Sequence, residues 1–361
     1  MRANWPAAAD ADGVAAGVAD PPRRRWLAAL AAGALAAGLA RLDPARASGV
    51  TRSYPAEPRP ALPPDYGQPV ELDAPDGHLG GSLLRPEADA GAPLVILVAG
   101  SGPIDRDGNS RAGLRTDSYR QLAAGLARAG LASLRYDKRG VGESLNAVHD
   151  PAALDIDGHA DDLARWIAAM RAEHGFARVI VAGHSEGALL ATLAAQHQPV
   201  DGLALLCGTG RRIGALLRDQ LAQRLDPAAR ADLDRALARL EAGQPLAGPP
   251  ASLGPLGDAV LGPAVQPLLM SWMRHDPAAE LAGVAGRVLI VHGSTDLQLR
   301  PADRSALLDA RPDASVRLID GMCHTLKHAE LDGASQARAY RDASLPVVPE
   351  LLAALARFAR G

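Results

Sequence analysis

The chain has 361 residues, of which 48% are hydrophobic, 22% charged and only 3% aromatic, with a formal net charge of −3. That is ample apolar chain for a sizeable core, which excludes a mostly disordered protein, and the lack of a basic surplus excludes a dedicated nucleic-acid binder. Two cysteines, Cys207 and Cys323, exclude a disulfide scaffold and a four-cysteine zinc site. The basic residues comprise 36 Arg and 2 Lys, so Arg-rich helices carry little information here while a lysine stands out.

Residues 1–47 read as an address, to be set aside before any argument about the fold. Arg23, Arg24 and Arg25 precede Trp26 and Leu27, and the uncharged run from Ala28 to Ala40 is too short and too mildly apolar for a bilayer span. No stable membrane anchor is therefore expected. Ala45-Arg46-Ala47 offers the small-x-small pattern at which a signal peptidase cuts. Paired arginines followed by an aromatic and Leu resemble a twin-arginine export signal, which implies a periplasmic or extracellular protein that meets the export machinery and signal peptidase during maturation. Residues 48–69 carry prolines at 55, 58, 60, 63, 64 and 69 and read as an extended linker.

Beyond the linker, strand-like and helix-like segments alternate. Pro69–Ala74 and Leu79–Arg85 flank Asp76-Gly77, a hairpin signature. Leu94–Ala99 is a continuous apolar run, as in a strand buried on both faces. Then come a helix over Tyr119–Ala129, a strand over Leu131–Tyr136, a helix over His159–Glu173, a strand over Arg178–Ala182, a helix over Ala188–Gln196 and a strand over Gly202–Leu206. Residues 211–283 lack strands and read as a helical cap broken by the Pro/Gly stretch 245–256. Alternation resumes with the strand Arg287–His292, the helix Ala302–Ala310, the strand Ser315–Ile319 and a closing helix, Pro349–Arg360. Such alternation predicts an α/β fold, a mostly parallel sheet covered by helices on both faces, with 70–361 as one domain that includes the cap.

The chemistry centres on Gly183-His184-Ser185-Glu186-Gly187, a G-x-S-x-G set between a strand and a helix. A strand that must reverse into a helix within one turn pushes its serine into a strained conformation, and the glycines remove side chains that would collide there. A serine hydroxyl needs a base held by an acid, in the chain order Ser, Asp or Glu, His. Asp296 and His324, each in a loop at the carboxyl end of a strand, satisfy that order. Oxyanion donors are expected from the backbone N–H of Glu186 and from Gly100-Ser101-Gly102-Pro103, with Ser101 first and Gly102 next. His292, His328 and His184 are the competing histidines, the last read as pointing away from substrate. The acid-rich stretch Asp155, Asp157, His159, Asp161 and Asp162 reads as a helix N-terminus and not as a metal site. No metal or other cofactor is called for.

Together these segments resemble the alpha/beta-hydrolase superfamily over roughly 70–361, and within it a bacterial branch of esterase-like serine hydrolases. Gly100-Ser101-Gly102-Pro103 with Asp105-Arg106-Asp107-Gly108-Asn109 looks like that branch's oxyanion loop. Arg135 to Ser144, Gly183 to Gly187, Gly293 to Asp296, and Met322 to Lys327 are similar to its other motif loops. Ala99 stands where many members have His. The resemblance implies a cofactor-free hydrolase of carboxylic esters, of short to medium acyl groups, acting on a small-molecule substrate, with a helical cap shaping the pocket. Met270, Trp272 and Met273 are the pocket candidates from the cap. Thioester, lactone or acyl-transfer chemistry, an exported serine peptidase or aminopeptidase, and a non-catalytic binding protein are the alternatives. Asp137 and Arg139 are read as loop braces. The two lysines, Lys138 and Lys327, both fall in motif loops, where a compact ammonium suits better than a planar fork. Folding before export argues against a bridge between Cys207 and Cys323.

Overall fold

The computed structural model describes residues 67–88, 91–148, 150–222 and 224–361; the export signal and all but the last three residues of the linker fall outside the described residues. Strand β1 (Gln68–Ala74) already takes in the linker's final residues, Gln68 and Pro69, because β1 is an edge strand and tolerates a residue without an N–H. It turns through Pro75 and Asp76 into β2 (Gly77–Leu84), and Gly77, paired with Ala74, adopts φ +144°. β3 (Leu94–Val98), β4 (Ala132–Tyr136), β5 (Val179–His184), β6 (Gly202–Leu206), β7 (Val288–Gly293) and β8 (Ser315–Ile319) complete one sheet in the order β1-β2-β4-β3-β5-β6-β7-β8. The first three strands in that order pair antiparallel and the rest parallel.

The strands alternate between two apolar clusters, as a side-chain period of two requires. From β3, Leu94, Ile96 and Val98 join the cluster of α2 (Ile156–Ala172) and α3 (Glu186–His197), with Leu163, Trp166, Ile167, Leu190 and Leu193. Val95 and Leu97 join the opposite cluster with Leu122 and Leu126 of α1 (Ser118–Arg128), and Leu351 and Leu355 of a C-terminal helix. Each such fully buried aliphatic side chain contributes about 1.5–3 kcal/mol, so both faces of the central strands are held independently. Asp155 caps α2 by accepting from Gly158 N at 2.7 Å, the helix-terminal role expected for that acidic stretch.

Between β6 and β7 the described residues form α-helices and no strand: α4 (Ile213–Ala222), α5 (Pro227–Glu241), α6 (Gly254–Leu261), α7 (Gln266–Met273) and α8 (Pro277–Ala282). After β7 come α9 (Pro301–Ala310), α10 (Gly333–Arg341), which sequence reading missed, and the C-terminal α11 (Pro349–Arg360). Among the described residues no helix is long and apolar enough to cross a membrane. The strand order reverses between β3 and its neighbours β4 and β5, and loops at the carboxyl ends of strands flanking such a reversal are where α/β sheets hold ligands.

Candidate active site

Ser185 lies directly between β5 and α3, at the N-cap of the helix, with φ 55° and ψ −120°, a backbone conformation that costs on the order of 1–3 kcal/mol outside glycine. Its surroundings impose that strain. Ser185 N donates to Leu206 O on the neighbouring strand at 2.9 Å, while α3 begins at the very next residue. A Cβ at Gly183 would overlap the carbonyl of Gly187, and one at Gly187 would lie 2.5 Å from Val98 O. Both glycines of G-x-S-x-G are therefore required by backbone approach, the physical content of the motif.

The structure brings the three predicted catalytic residues together. His324 Nδ1 lies 2.8 Å from Asp296 Oδ2, with both side chains almost wholly buried. The other carboxylate oxygen, Oδ1, accepts from Gln298 N at 2.8 Å. Burial alone would raise the Asp296 pKa, but the charge and hydrogen bond of His324 outweigh it, and the carboxyl is held below its ordinary value. An ionised Asp296 accepts from Nδ1–H and so leaves Nε2 of His324 as the ring's free acceptor. Ser185 and His324 line the same cleft.

Ser101, Gly102 and Glu186, the predicted oxyanion donors, line that cleft as well. Glu186 is the first residue of α3, where backbone N–H groups have no partner within the helix. The loop after β3 is pinned from two sides: Gly100 N donates to Tyr119 Oη at 3.1 Å, and Gly100 O accepts from Lys138 Nζ at 2.7 Å. Tyr119 thus braces the loop just after Ala99. Lys138 Nζ also bonds Glu186 Oε1 at 2.6 Å.

The competing histidines have other tasks. His184 Nε2 lies 2.8 Å from the carbonyl of His324, which can only accept, so Nδ1 is the acceptor of Tyr119 Oη at 2.8 Å. Burial and the neighbouring His324 lower its pKa to about 3, and this tautomer stays neutral. His184 therefore faces protein with both nitrogens while holding the backbone of His324. His292 is buried in β7 with an unpartnered Nε2, and the ring of His328 packs over Gly321. Among the described residues one group could reach a metal ion, His184, Cys207 and His324, with ligand atoms within 4.8 Å; both nitrogens of His184 are already engaged, so the cluster reads as packing around His324. Cys207 and Cys323 are free and buried. Asp137 accepts from Arg106, and Arg139 bonds Asp162 and Asp76, the loop-bracing roles predicted for Asp137 and Arg139.

The cleft, about 780 Å³, is walled by two helical stripes. Ile213, Leu216, Leu217 and Gln220 come from α4, and Val265, Leu268, Leu269 and Trp272 from α7 and the residue before it, each set at spacing i, i+3, i+4, i+7. Met270 and Met273, predicted as pocket residues, do not line it. They lie off the stripe, and Met273 is buried in the cluster behind it, with Met270 packed against that cluster. Of the three candidates only Trp272 lines the cleft. A second cavity of about 460 Å³ shares Ser101, Ser185, Gln298 and His324 with the cleft and is lined further by Ile104, Thr116, Tyr119, Thr325 and Tyr340 among others.

The structure superposes on an alpha/beta hydrolase, GrgF, from Penicillium sp. sh18 with a TM-score of 0.54 at 15% identity, covering 81% of this chain and 97% of that one. Proline iminopeptidase of Mycobacterium smegmatis gives 0.50 at 19% identity, covering 81% and 98%. An esterase of Pyrococcus furiosus gives 0.51 at 14%, covering 81% and 89%. The chain has the alpha/beta-hydrolase fold. A family model described as "Serine aminopeptidase, S33" matches residues 110–240, a span that holds Ser185 and ends before Asp296 and His324. By sequence the chain is 26% identical over 274 residues to "Esterase EstD" of Thermotoga maritima, a match covering 74% of this chain and 63% of that protein's length.

Proposed function

We propose that this alpha/beta-hydrolase-fold protein is a serine hydrolase of carboxylic esters with short to medium acyl groups. The observation that carries the reading is His324 held on a buried, ionised Asp296, with His324 and the strained Ser185 lining the same largely apolar cleft. In the proposed cycle His324 Nε2 takes the hydroxyl proton as Ser185 Oγ attacks the ester carbonyl, and Asp296 stabilises the resulting imidazolium. The backbone N–H groups of Glu186 and Ser101, with Gly102 nearby, receive the tetrahedral oxyanion. The imidazolium then protonates the departing alcohol. Water, deprotonated by His324, attacks the acyl-enzyme, and the acid leaves with Ser185 restored. Every proton and electron pair stays within these groups and water, so no cofactor is needed.

The likeness to "Esterase EstD" supports ester chemistry; the family description and the Mycobacterium iminopeptidase favour a second reading, an aminopeptidase. A peptide's terminal ammonium calls for an unpaired carboxylate beside the scissile bond. Glu186 is the carboxylate among the residues lining either cavity, and Lys138 already occupies it, which weighs for a neutral ester. A fluorophosphonate probe should label the folded protein and fail on Ser185→Ala; unlabelled wild-type protein would sink the hydrolase reading. Nitrophenyl esters of rising chain length, run against aminoacyl anilides, then divide ester from peptide. On the same footing we propose export, with cleavage after Ala47, for which the N-terminal mass of protein recovered outside the cytoplasm is the check.

A further inference from the structure

Lys138 sits beneath the predicted oxyanion donors. Its ammonium, about 4% exposed, makes its 2.6 Å bond to Glu186, about 2% exposed, and its 2.7 Å bond to the carbonyl of Gly100. Taking an ammonium and a carboxylate out of water is costly, and an ion pair this deep gives weak net stability at best. Its value has to be sought in what it positions.

The two bonds bear on the two halves of the oxyanion site. Among the described residues no peptide is cis, and in a trans peptide the C=O and N–H point in opposite directions. A cation fixed on Gly100 O therefore turns the N–H of the same peptide, that of Ser101, away from Lys138. The loop stands over the serine: a Cβ at Gly100 would lie 3.2 Å from Ser185 Cβ. The remaining polar group of Gly100, its N–H, is taken by Tyr119 Oη at 3.1 Å, so the residue cannot swing. On the other side the same Nζ holds the side chain of Glu186, whose own N–H is the second donor.

We infer that Lys138 is the positioning residue of the oxyanion site: it aims and polarises the Ser101 N–H through the Gly100 carbonyl and registers that donor against Glu186. Polarisation follows from geometry, since a cation hydrogen-bonded to an amide oxygen draws electron density from its nitrogen and strengthens the N–H as a donor. The chain of dipoles runs from Nζ through the peptide to the oxyanion, a charge that exists only in the tetrahedral state. Its benefit belongs in kcat, leaving KM unaffected. One compact Nζ serves both oxygens from a confined site that the broader fork of Arg does not match, which accounts for a lysine in a chain with 36 arginines.

This inference rests on the serine-hydrolase reading, and its test separates the two. Lys138→Met alone strands a buried carboxylate and invites unfolding, so the informative variant is Lys138→Met/Glu186→Gln, which removes both charges and keeps the Glu186 backbone. The readouts are the thermal midpoint, kcat and KM on a nitrophenyl ester, and inhibition by an alkyl trifluoromethyl ketone, whose hemiketal carries the oxyanion. We expect kcat and ketone affinity to fall together, by about 10- to 100-fold, with KM within about threefold; removal of a full oxyanion donor costs about 10²- to 10³-fold. Lys138→Arg, which retains the charge balance, should lose both in parallel by about tenfold, and it is the second readout if the double variant fails to fold. Either variant, folded and holding both kcat and ketone affinity within about twofold of wild type, overturns the role of Lys138. Wild-type protein with neither turnover nor ketone binding overturns the hydrolase reading itself.

Discussion

Around Ser185 the functional groups are held by directional polar bonds: Asp296 on His324, Tyr119 and the His324 carbonyl on His184, Gly100 and Glu186 on Lys138. Across the cleft, α4 and α7 present stripes of mostly apolar side chains; α7 carries no charged residue, and the ion pair of Arg218 on α4 with Glu241 on α5 sits toward solvent. A hydrogen bond loses most of its value over tenths of an ångström and tens of degrees, so the loops at the strand ends admit few substitutes. An apolar wall asks mainly for volume and patterning. On the proposed function the two regions would answer different questions, the first which bond breaks and the second which acyl group fits.

The largest expected effect breaks the polar side. Asp296→Asn keeps the shape but removes the acceptor that fixes the His324 tautomer, and kcat on any ester should fall by roughly 10³- to 10⁴-fold with little change in folding; steady-state kinetics beside a melting curve reads this, and a loss below tenfold would show that Asp296 is not the acid. Next, Trp272→Ala should leave acetyl-ester kcat within about threefold while shifting kcat/KM by about tenfold toward longer acyl chains. The same change should cost about 3 kcal/mol of stability, because Trp272 is also part of the packed cluster. An unchanged chain-length profile would place the acyl group elsewhere.

The smallest effect is on stability against pH. His159, buried near Lys138 and Arg139, has its pKa lowered from 6.5 to about 3, by burial first and those cations second. Between those values the unfolded chain binds the proton that the folded one refuses, so stability falls as pH drops from 6.5 toward 3. Replacing it, as His159→Leu, should flatten the loss between pH 7 and 4.5 by about 2 kcal/mol, measured by urea denaturation at both pH values.

Much of the polar region was legible in the sequence because backbone geometry dictates it. Gly183 and Gly187 are forced by contacts with carbonyls, and the Ser, Asp, His order is the chain order of β5, β7 and β8, after whose carboxyl ends the three residues fall. The partners that hold these residues were not legible, since Tyr119 reaches His184 across 65 positions and no local pattern marks such a bond. Lys138 left a compositional trace, one of two lysines among 38 basic residues, without showing what it touched. On the apolar side the error has a definite cause. Residue type alone singles out Met270 and Met273, whereas helical period singles out the stripe Val265, Leu268, Leu269, Trp272 that lines the cleft. Helix α10 escaped because Gly333 to Arg341 is polar and Ala-rich, with few of the buried side chains that give a helix its periodic signal.

Pairing Lys138 with Glu186 also leaves the mouth of the cleft electrically quiet. Its remaining lining offers hydroxyls, amides, hydrocarbon and the imidazole of His324, so no unpaired carboxylate, ammonium or guanidinium in that lining draws in or repels an approaching molecule. Encounter is then governed by diffusion and by the release of water from Leu, Ile and Val surfaces. On the proposed function, such a site would capture substrate at nearly the same rate as the Debye length shrinks from about 30 Å to about 3 Å, an indifference that would suit the proposed export.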